Sequence, residues 1–199
     1  MLGHSLFTLV VRDSSRRLER EQRLAYRVEH DDLTDLPNRV LLNDRLHAGL
    51  ARAGRDGKRL AVVYLDLDNF KPINDRFGHQ AGDCLLQAVA RRLIDTVRQS
   101  DTVSRLGGDE FIVCIEQINT PQDARAAADK LCDAFKQPFQ ILGTEIETTA
   151  SIGIAVYPDH GRDAATLLRN ADEAMYAAKA SASGPQLYQP PTDTCSDGD

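Results

Sequence analysis

Apolar stretches alternate with amphipathic stretches along most of the chain, and this order predicts strands separated by helices. Residues 61–65 form a continuous apolar run between turn residues, which is typical of a strand buried on both faces. Residues 145–157 carry apolar side chains at every second position, which predicts one long strand. Apolar residues at helical spacing predict four helices: from Asn38 to near Gly54 and Gly57, from Gly82 to Val97, from Pro121 to Phe135, and over residues 163–180.

Residues 105–111, with the sequence RLGGDEF, lie between two further apolar runs and predict a β-hairpin with Gly-Gly-Asp-Glu at its tip. The two glycines accept a positive φ and let a ligand approach the backbone. Taken alone, the segment is more typical of a solvated turn than of a site. A second acidic strand end, with Asp66 and Asp68, favours a site. Strands and helices around such a hairpin predict an α/β (α+β) fold, with a central mixed sheet surrounded by helices.

The two ends of the chain are predicted to lie outside this domain, to which we assign residues 31–189. Residues 1–11 include a β-branched and aromatic segment, which predicts the terminal strand of a truncated upstream domain. Residues 12–30 are charged and lack Gly and Pro, so that a coiled-coil stalk pairing two chains and a solvated single helix both stay open. Residues 190–199 are rich in Pro, Asp and Ser, which predicts a disordered tail.

Composition narrows the possible classes of function. The 199 residues carry a formal charge of −6, which argues against sequence-independent binding of nucleic acid. The 4 cysteines are scattered, which favours reduced thiols over a disulfide or zinc framework. The apolar run of residues 6–11 is too short to span a membrane. We therefore expect a cytoplasmic domain without membrane contact, while tethering of the full-length protein through an upstream segment stays open.

Carboxylates that converge at a strand end are typical of a site for a hard divalent cation. Mg²⁺ takes few carboxylates and leaves positions for substrate phosphates. A glycosidase pair of carboxylates would need an aromatic-lined cleft, whereas the chain has no tryptophan and 6% aromatic residues. Residues 69–75 add a cation and amide donors after the strand, and residues 78–83 bring backbone amides to a helix N-terminus. Together these features favour a nucleoside triphosphate bound with a metal.

Five segments in unbroken order resemble the successive motifs of the GGDEF family, the bacterial diguanylate cyclases. They are residues 31–39 (DDLTDLPNR), 66–75 (DLDNFKPIND), 78–83 (GHQAGD), 105–111 (RLGGDEF) and 171–179 (ADEAMYAAK). The resemblance implies a fold like the palm of nucleotidyl cyclases and polymerases. It also implies that two GTP form cyclic di-GMP and two pyrophosphates, with each protomer of a homodimer holding one GTP. The N-terminal segment resembles the end of a PAS domain and its signalling helix, which implies an upstream sensor domain.

The resemblance further implies roles for individual residues. Magnesium, with Mn²⁺ as the alternative, would be held by Asp66, the backbone carbonyl of Leu67, Asp109 and Glu110. Catalysis would involve Asp109, Glu110 and Lys179, with Asp109 assigned as the general base. GTP would contact Phe70 and Lys71 in a phosphate loop, Asn74 and Asp83 at the guanine, His79 near the ribose, and Lys179 at the triphosphate. Because a carboxylate accepts from the N1–H and the exocyclic amine of guanine, Asp83 disfavours ATP.

An inhibitory site for the product is also implied. Arg98 and Asp101 stand at the spacing from the hairpin at which the family binds a cyclic di-GMP dimer, and we assign Arg105 to the same site. The alternative interpretation of this segment is a helix C-terminus followed by a turn residue.

The sequence departs from the family pattern at several positions. Asp35 stands where the family usually has Gly, and Pro72 lies at a variable motif position. After Lys179, the chain has Pro185 and Gln186 where the family places Arg and Asn near a Gly. One phosphate-binding arginine is therefore expected to be missing, which would weaken GTP binding without altering the metal site.

Other functions compete with diguanylate cyclase activity. A catalytically silent GGDEF module would bind GTP or cyclic di-GMP as a signalling receptor, but degenerate modules usually lose the acidic tip that Asp109 and Glu110 retain. A class III-like purine cyclase is disfavoured by Asp83, and a polymerase palm by the negative net charge. A phosphodiesterase is disfavoured because no segment resembles the hydrolytic partner domain of the family.

Overall fold

The computed structural model describes residues 26–181 and 184–190. The predicted strand within residues 1–11 lies outside the described residues, as do residues 12–25 of the predicted helix and residues 191–199 of the predicted tail. Residues 26–29 are helical, and His30 forms a β-bridge with Pro37. The interpretations of the two chain ends therefore remain predictions.

Helices are interspersed with strands from Arg39 onward, as the hydrophobic pattern predicts. In chain order the described elements are α1 (Arg39–Asp56), β1 (Arg59–Leu67), α2 (Phe70–Phe77), α3 (His79–Thr96), β2 (Thr102–Gly107), β3 (Glu110–Ile118), α4 (Pro121–Ala134), β4 (Phe139–Ile141), β5 (Thr144–Ile146), β6 (Ala150–Tyr157), α5 (Ala164–Ser181) and β7 (Gln186–Leu187). None of the described helices is long and apolar enough to cross a membrane.

A five-stranded sheet in the order β2-β3-β1-β6-β7 forms the centre of the domain. Strand β1 is its middle strand and pairs antiparallel with both β3 and β6. Strand β7 adds a short parallel edge to β6, while β4 and β5 form a separate two-stranded hairpin. The predicted central mixed sheet surrounded by helices is confirmed.

Two hydrophobic cores lie on opposite faces of this sheet because side chains alternate along β1. Ala61, Val63 and Leu65 pack on one face, with apolar residues of α3 and α4. Val62 and Tyr64 pack on the other face, with apolar residues of α1 and α5. Burial on both faces explains why β1 has a continuous apolar sequence rather than an alternating one.

Helix α1 begins and ends where its capping residues predict. The Asn38 side chain accepts a hydrogen bond from the backbone N–H of Val40 at 2.8 Å. Gly57 ends the helix with φ 62°, a left-handed conformation that glycine adopts without steric cost. The prediction for this helix is confirmed, with Gly54 inside the helix and not at its end.

The predicted single strand over residues 145–157 is wrong, because the structure divides it into β5 and β6. Residues 147–149 between them are held by the end of β1 instead of extending a ladder. The Asp68 N–H donates to the Thr149 carbonyl at 2.9 Å, and the Thr148 hydroxyl donates to the Asp68 carbonyl at 3.0 Å. Alternation of apolar residues continues through this bend, so that the pattern alone does not reveal the interruption.

The segment after β1 was predicted as a loop, and this is also wrong, because Phe70–Phe77 is the helix α2. Pro72 lies in its first turn, where a missing N–H removes no intrahelical hydrogen bond. Helix α3 begins at His79 rather than at the predicted Gly82, since Gly78, at φ 86°, is where the chain turns from α2 into α3.

Asp35 has φ 61°, the left-handed conformation in which a Cβ atom costs about 1 kcal/mol relative to glycine. Its carboxylate accepts a hydrogen bond of 2.9 Å from the Tyr26 hydroxyl at an exposed position. We expect Asp35→Gly to be at least as stable as wild type, and Asp35→Ala to be less stable than Asp35→Gly by about 1 kcal/mol, as measured by urea unfolding.

The neighbouring Asp32 provides the matched control for this prediction, because it is not among the described residues with a positive φ. At position 32 the order should reverse, with the Ala variant more stable than the Gly variant. Equal stability of Asp35→Ala and Asp35→Gly would show that the positive φ at position 35 does not lower the free energy of unfolding.

Candidate active site

Acidic residues from two strands meet at one edge of the central sheet. Asp66, near the end of β1, lies directly opposite Glu110, the first residue of β3. The Leu67 N–H donates to the Asp109 carbonyl at 3.3 Å, which ties the hairpin tip to β1. Gly107 and Gly108 at this tip have φ 140° and 54°, as predicted for a tight acidic turn. The structure thus brings together Asp66, Leu67, Asp109 and Glu110.

Lys179 reaches this acidic edge from the last turn of α5. Its ammonium nitrogen lies 2.5 Å from Asp66 Oδ1, although the two residues are far apart in sequence. The hydrogen bond that Lys179 donates to Asp66 is the main reason that the pKa of Lys179 is raised above its usual value. Because the Asp66 side chain is 14% exposed and that of Lys179 is 48% exposed, the cation remains accessible to an incoming anion.

The negative charges of Asp66 and Asp109 repel each other. Burial, followed by the charge of Asp66, raises the pKa of Asp109 above its usual value, and the positive charges of Lys179 and Arg105 only partly offset this effect. An additional cation placed between Asp66 and Asp109 would therefore be favoured electrostatically.

The donor atoms suit a hard cation. The side chains of Asp66, Asp109 and Glu110 offer only oxygen, the ligand type that Mg²⁺ and Mn²⁺ prefer. Among residues 26–181 and 184–190, no three His, Cys, Asp or Glu side chains lie close enough together to hold a metal ion by themselves. A cation at this edge would therefore need substrate oxygens to complete its coordination, as Mg²⁺ takes from phosphates.

Tyr64 is a member of this site that sequence reasoning missed. It precedes Asp66 by two residues on β1, so that both side chains lie on the same face of the sheet. Burial raises its pKa strongly, and the charges of Glu110 and Asp172 raise it further. Tyr64 consequently remains a neutral hydroxyl beside the carboxylates. The spacing of two residues between Tyr64 and Asp66 could have indicated this position. Tyr64 belongs to an apolar run, however, and such a run predicts a buried core strand.

The residues predicted to read guanine are brought together by the contact between α2 and α3. Asn74 is half-buried on α2, and Gly82 of α3 is buried directly against its side chain. Asp83 follows Gly82 and is exposed.

The remaining residues predicted to bind GTP lie at the starts of these two helices. Phe70 and Lys71 form the first turn of α2, not a loop, with Phe70 half-buried and Lys71 exposed. His79 is exposed as the first residue of α3. Their contacts with ligand stay predictions.

Asp68 acts at the end of β1, where it fixes the neighbouring strand. Its carboxylate accepts hydrogen bonds from the hydroxyls of Thr149 at 2.5 Å and Ser151 at 2.7 Å. These bonds hold the start of β6 beside the acidic edge. Both carboxylate oxygens of Asp68 are used in these bonds. Asp68 therefore has a structural role beside the site. The sequence, in which Asp66 and Asp68 look like an equivalent acidic pair, did not predict this difference.

Arg105 does not join the predicted inhibitory site. Its side chain is 9% exposed, and one guanidinium nitrogen lies 2.7 Å from Asp31 Oδ1. Its Nε and Nη2 atoms both donate to the Gly108 carbonyl, at 3.1 Å and 2.7 Å. Arg105 therefore connects the segment after the N-terminal helix to the hairpin tip, because its fork matches a carboxylate on one side and a carbonyl on the other.

Arg98 and Asp101 line a separate cleft of about 350 Å³, together with Asp123 and Lys130. The Asp101 carboxylate accepts hydrogen bonds from the backbone N–H groups of Arg98, at 3.1 Å, and Glu116, at 3.3 Å. This geometry agrees with the interpretation as a helix end, since α3 ends at Thr96. Arg98 is nevertheless exposed, so that the rim of the cleft presents a guanidinium group to solvent.

The fold and the acidic sheet edge define an α/β domain of the palm-like nucleotidyl-cyclase type. Residues 28–184, which are most of the chain, match the family model described as "Diguanylate cyclase, GGDEF domain". The chain therefore belongs to the GGDEF family.

Two curated relatives come from Pseudomonas aeruginosa. The bifunctional diguanylate cyclase/cyclic di-GMP phosphodiesterase MucR is 49% identical over 172 residues, which are 86% of this chain and 25% of MucR. The diguanylate cyclase TpbB of strain UCBPP-PA14 is 44% identical over 162 residues, which are 81% of this chain and 37% of TpbB. The chain thus spans a quarter to somewhat more than a third of the length of these relatives.

Solved structures share the fold. The GGDEF domain of TpbB from Pseudomonas aeruginosa has a TM-score of 0.78 and 43% identity, covering 80% of this chain and 94% of that chain. A microbial GGDEF domain solved for its interaction with cyclic di-GMP has a TM-score of 0.70 and 31% identity, covering 82% of this chain and 99% of that chain. These likenesses agree with the predicted architecture.

Proposed function

We propose that this domain is a diguanylate cyclase, which condenses two GTP into cyclic di-GMP and two pyrophosphates in a reaction that depends on Mg²⁺ or Mn²⁺. The observation that carries the proposal is the meeting of Asp66, Asp109 and Glu110 at one sheet edge, with Lys179 in contact with Asp66. Membership of the GGDEF family and the activities for which MucR and TpbB are named support it.

The chemistry required is attack of a ribose 3'-hydroxyl on the α-phosphorus of another GTP, with pyrophosphate as the leaving group. A divalent cation held by Asp66, the Leu67 carbonyl, Asp109 and Glu110 would neutralise phosphate charge and lower the pKa of the attacking hydroxyl. Asp109 is the proposed base, because a carboxylate that holds the cation would also lie beside the attacking hydroxyl. Lys179, which is paired with Asp66 in the structure, would leave this partner and bind triphosphate oxygens when GTP enters.

Guanine recognition is proposed for the contact region of α2 and α3. Asp83 would accept from the N1–H and exocyclic amine of guanine, and Asn74 would contact the same base. Adenine has a lone pair at N1, which would face the Asp83 carboxylate without a hydrogen. Phe70, Lys71 and His79 would surround the phosphates and ribose, as the family resemblance implies.

Two copies of the domain are required by the symmetry of the product. One acidic edge holding one GTP cannot close a ring from two nucleotides, so that a homodimer with facing GTP sites is proposed. The helix before Asp31 would raise the local concentration of the two domains and link them to an upstream sensor. Because the reaction consumes GTP, we assign it to the cytoplasm.

A GGDEF module that binds GTP or cyclic di-GMP without turnover is the second candidate. It is favoured by one observation: where the family places Arg and Asn, Pro185 is buried and Gln186 pairs with β6 as the first residue of β7. That segment is then part of the outermost strand of the sheet and supplies no phosphate-binding arginine. Weak GTP binding would follow, with the acidic edge intact.

Incubation of the purified chain with GTP and Mg²⁺, followed by chromatography and mass spectrometry of the products, separates these candidates. The cyclase produces cyclic di-GMP and pyrophosphate, fails with ATP, and loses specific activity on dilution as the dimer dissociates. Binding of GTP without product formation would instead establish the receptor. Specific activity that stays constant down to nanomolar protein would contradict the dimer requirement.

Product inhibition is expected at the cleft of Arg98 and Asp101. The Arg98 guanidinium offers two parallel donors to phosphate or guanine acceptors, and the cleft lies apart from the acidic edge in sequence and in its lining. We expect Arg98→Ala to retain the initial rate but to give a higher product yield at late times, with inhibition noncompetitive toward GTP. Progress curves with and without added cyclic di-GMP provide the measurement.

Arg91→Ala is the matched control, since Arg91 is an exposed arginine within α3 that does not line the cleft. It should remain as sensitive to cyclic di-GMP as wild type. Curves for Arg98→Ala that superimpose on those of wild type would favour the interpretation of this segment as a helix end only.

A further inference from the structure

Gly82 is a buried glycine in the interior of α3, where glycine costs about 1 kcal/mol relative to alanine. Its φ lies outside the left-handed region, so that backbone conformation does not require glycine at this position. The reason must therefore be space. A Cβ atom at position 82 would overlap Asn74 Oδ1 and lie 2.9 Å from Asn74 Cγ and 3.3 Å from Asn74 Nδ2.

The clash is confined to one side chain. The three heavy atoms nearest to the added Cβ all belong to the Asn74 amide group, and none belongs to the backbone of α2. The amide of Asn74 thus rests on the bare backbone of Gly82, one residue before Asp83. An alanine at position 82 would displace this amide, while the two helices themselves have no steric reason to separate.

We propose that Gly82 is a positioning residue, which places the Asn74 amide beside Asp83 so that both groups address the same guanine. This inference rests on the proposed function, because it assumes that the α2–α3 contact binds the base of GTP. A displaced amide would lose its hydrogen bond with the base and would occupy part of the space that the base requires. The missing side chain of Gly82 then contributes to substrate binding and not to folding.

Equilibrium binding provides the test without requiring turnover. The ligand is a GTP analogue with a methylene group between the α and β phosphorus atoms, which cannot release pyrophosphate, measured by titration calorimetry in Mg²⁺. We expect Gly82→Ala to weaken binding about tenfold, the equivalent of one lost hydrogen bond of about 1.4 kcal/mol. Its melting temperature should not fall below that of wild type, because alanine favours the helix.

A double-mutant cycle separates positioning from a general effect of the substitution. Asn74→Ala should also weaken binding, and adding Gly82→Ala to it should cause no further loss, since the clashing amide is already absent. The matched control is Gly49→Ala in α1, also a buried helix glycine, whose added Cβ would lie 2.8 Å from Leu60 Cδ1. This control should bind the analogue as wild type does.

The possible results decide between the alternatives. Unchanged binding by Gly82→Ala, or an equal loss in the presence and absence of Asn74, would overturn the inference while leaving the proposed function intact. Absence of binding by wild type would overturn both. A Gly82→Ala protein that fails to fold would also overturn the inference, because the missing side chain would then serve folding and not substrate binding.

Discussion

Asp66→Asn, or Asp109→Asn combined with Glu110→Gln, is expected to reduce cyclic di-GMP formation from GTP and Mg²⁺ by at least about 100-fold, without altering the far-UV circular dichroism spectrum. None of these side chains belongs to the two hydrophobic cores, and Asp66 is ion-paired with Lys179. Removing their charges therefore removes the proposed cation site but little packing. Product formation by mass spectrometry provides the measurement.

Asp109→Asn by itself should not destabilise the metal-free protein. Asp109 has a raised pKa in the folded state, so that the folded protein binds its proton more tightly than the unfolded chain does. Stability contributed at this position is then lost as pH rises above the unfolded pKa of 3.8, and an ionised Asp109 is a cost near neutral pH. Asp109→Asn removes this cost.

Urea unfolding without divalent cation checks the sign of this effect. The stability of Asp109→Asn relative to wild type should increase between about pH 4 and about pH 7. Adding Mg²⁺ should stabilise wild type more than the variant. Asp44→Asn on the exposed face of α1 serves as the control and should retain wild-type synthesis. Wild-type turnover in Asp66→Asn would refute the assignment of the site.

Arg105→Met is expected to lower the free energy of unfolding by about 3 kcal/mol, the typical cost of breaking a buried ion pair. Methionine replaces the apolar part of the side chain but leaves the carboxylate of Asp31 and the carbonyl of Gly108 without their guanidinium partner. Because Gly108 belongs to the hairpin tip, cyclic di-GMP synthesis should fall as well. Denaturant unfolding and initial rates measure the two effects.

The pH dependence distinguishes loss of this ion pair from a simple packing defect. Burial alone would raise the pKa of Asp31, but hydrogen bonds from Thr34 and Arg105 bring it below its usual value. The resulting stability is present above the unfolded pKa of 3.8 and is lost as pH falls through the lowered folded pKa. The difference between wild type and Arg105→Met should therefore shrink in acid.

Arg125→Met provides a matched control for the arginine substitution. Arg125 forms an ion pair of 3.1 Å with Asp129 on α4, but its side chain is 45% exposed. Exposed pairs of this kind contribute little, so that Arg125→Met should remain within about 0.5 kcal/mol of wild type. An equally small effect of Arg105→Met would contradict the role assigned to Arg105.

The positions of the main helices and strands followed from local patterns. Strand β1 was predictable because a strand buried on both faces needs an uninterrupted apolar run, and α1 because Asn38 and Gly57 cap its two ends. The short elements were not predictable in this way. Helix α2 depends on its contacts with α3, and the break between β5 and β6 depends on hydrogen bonds with Asp68.

The amino-acid sequence by itself indicated the family through the resemblance of five ordered motifs. It also predicted the acidic hairpin and the strand that ends at Asp66, because turn chemistry and apolar periodicity are local. Only the tertiary structure decided which of these residues meet. It paired Lys179 with Asp66, directed Arg105 to Asp31 and Gly108 instead of the cleft of Arg98, and seated Asn74 on Gly82. The physical reason is that such contacts depend on strand register and helix packing, which bring together groups that are distant along the chain.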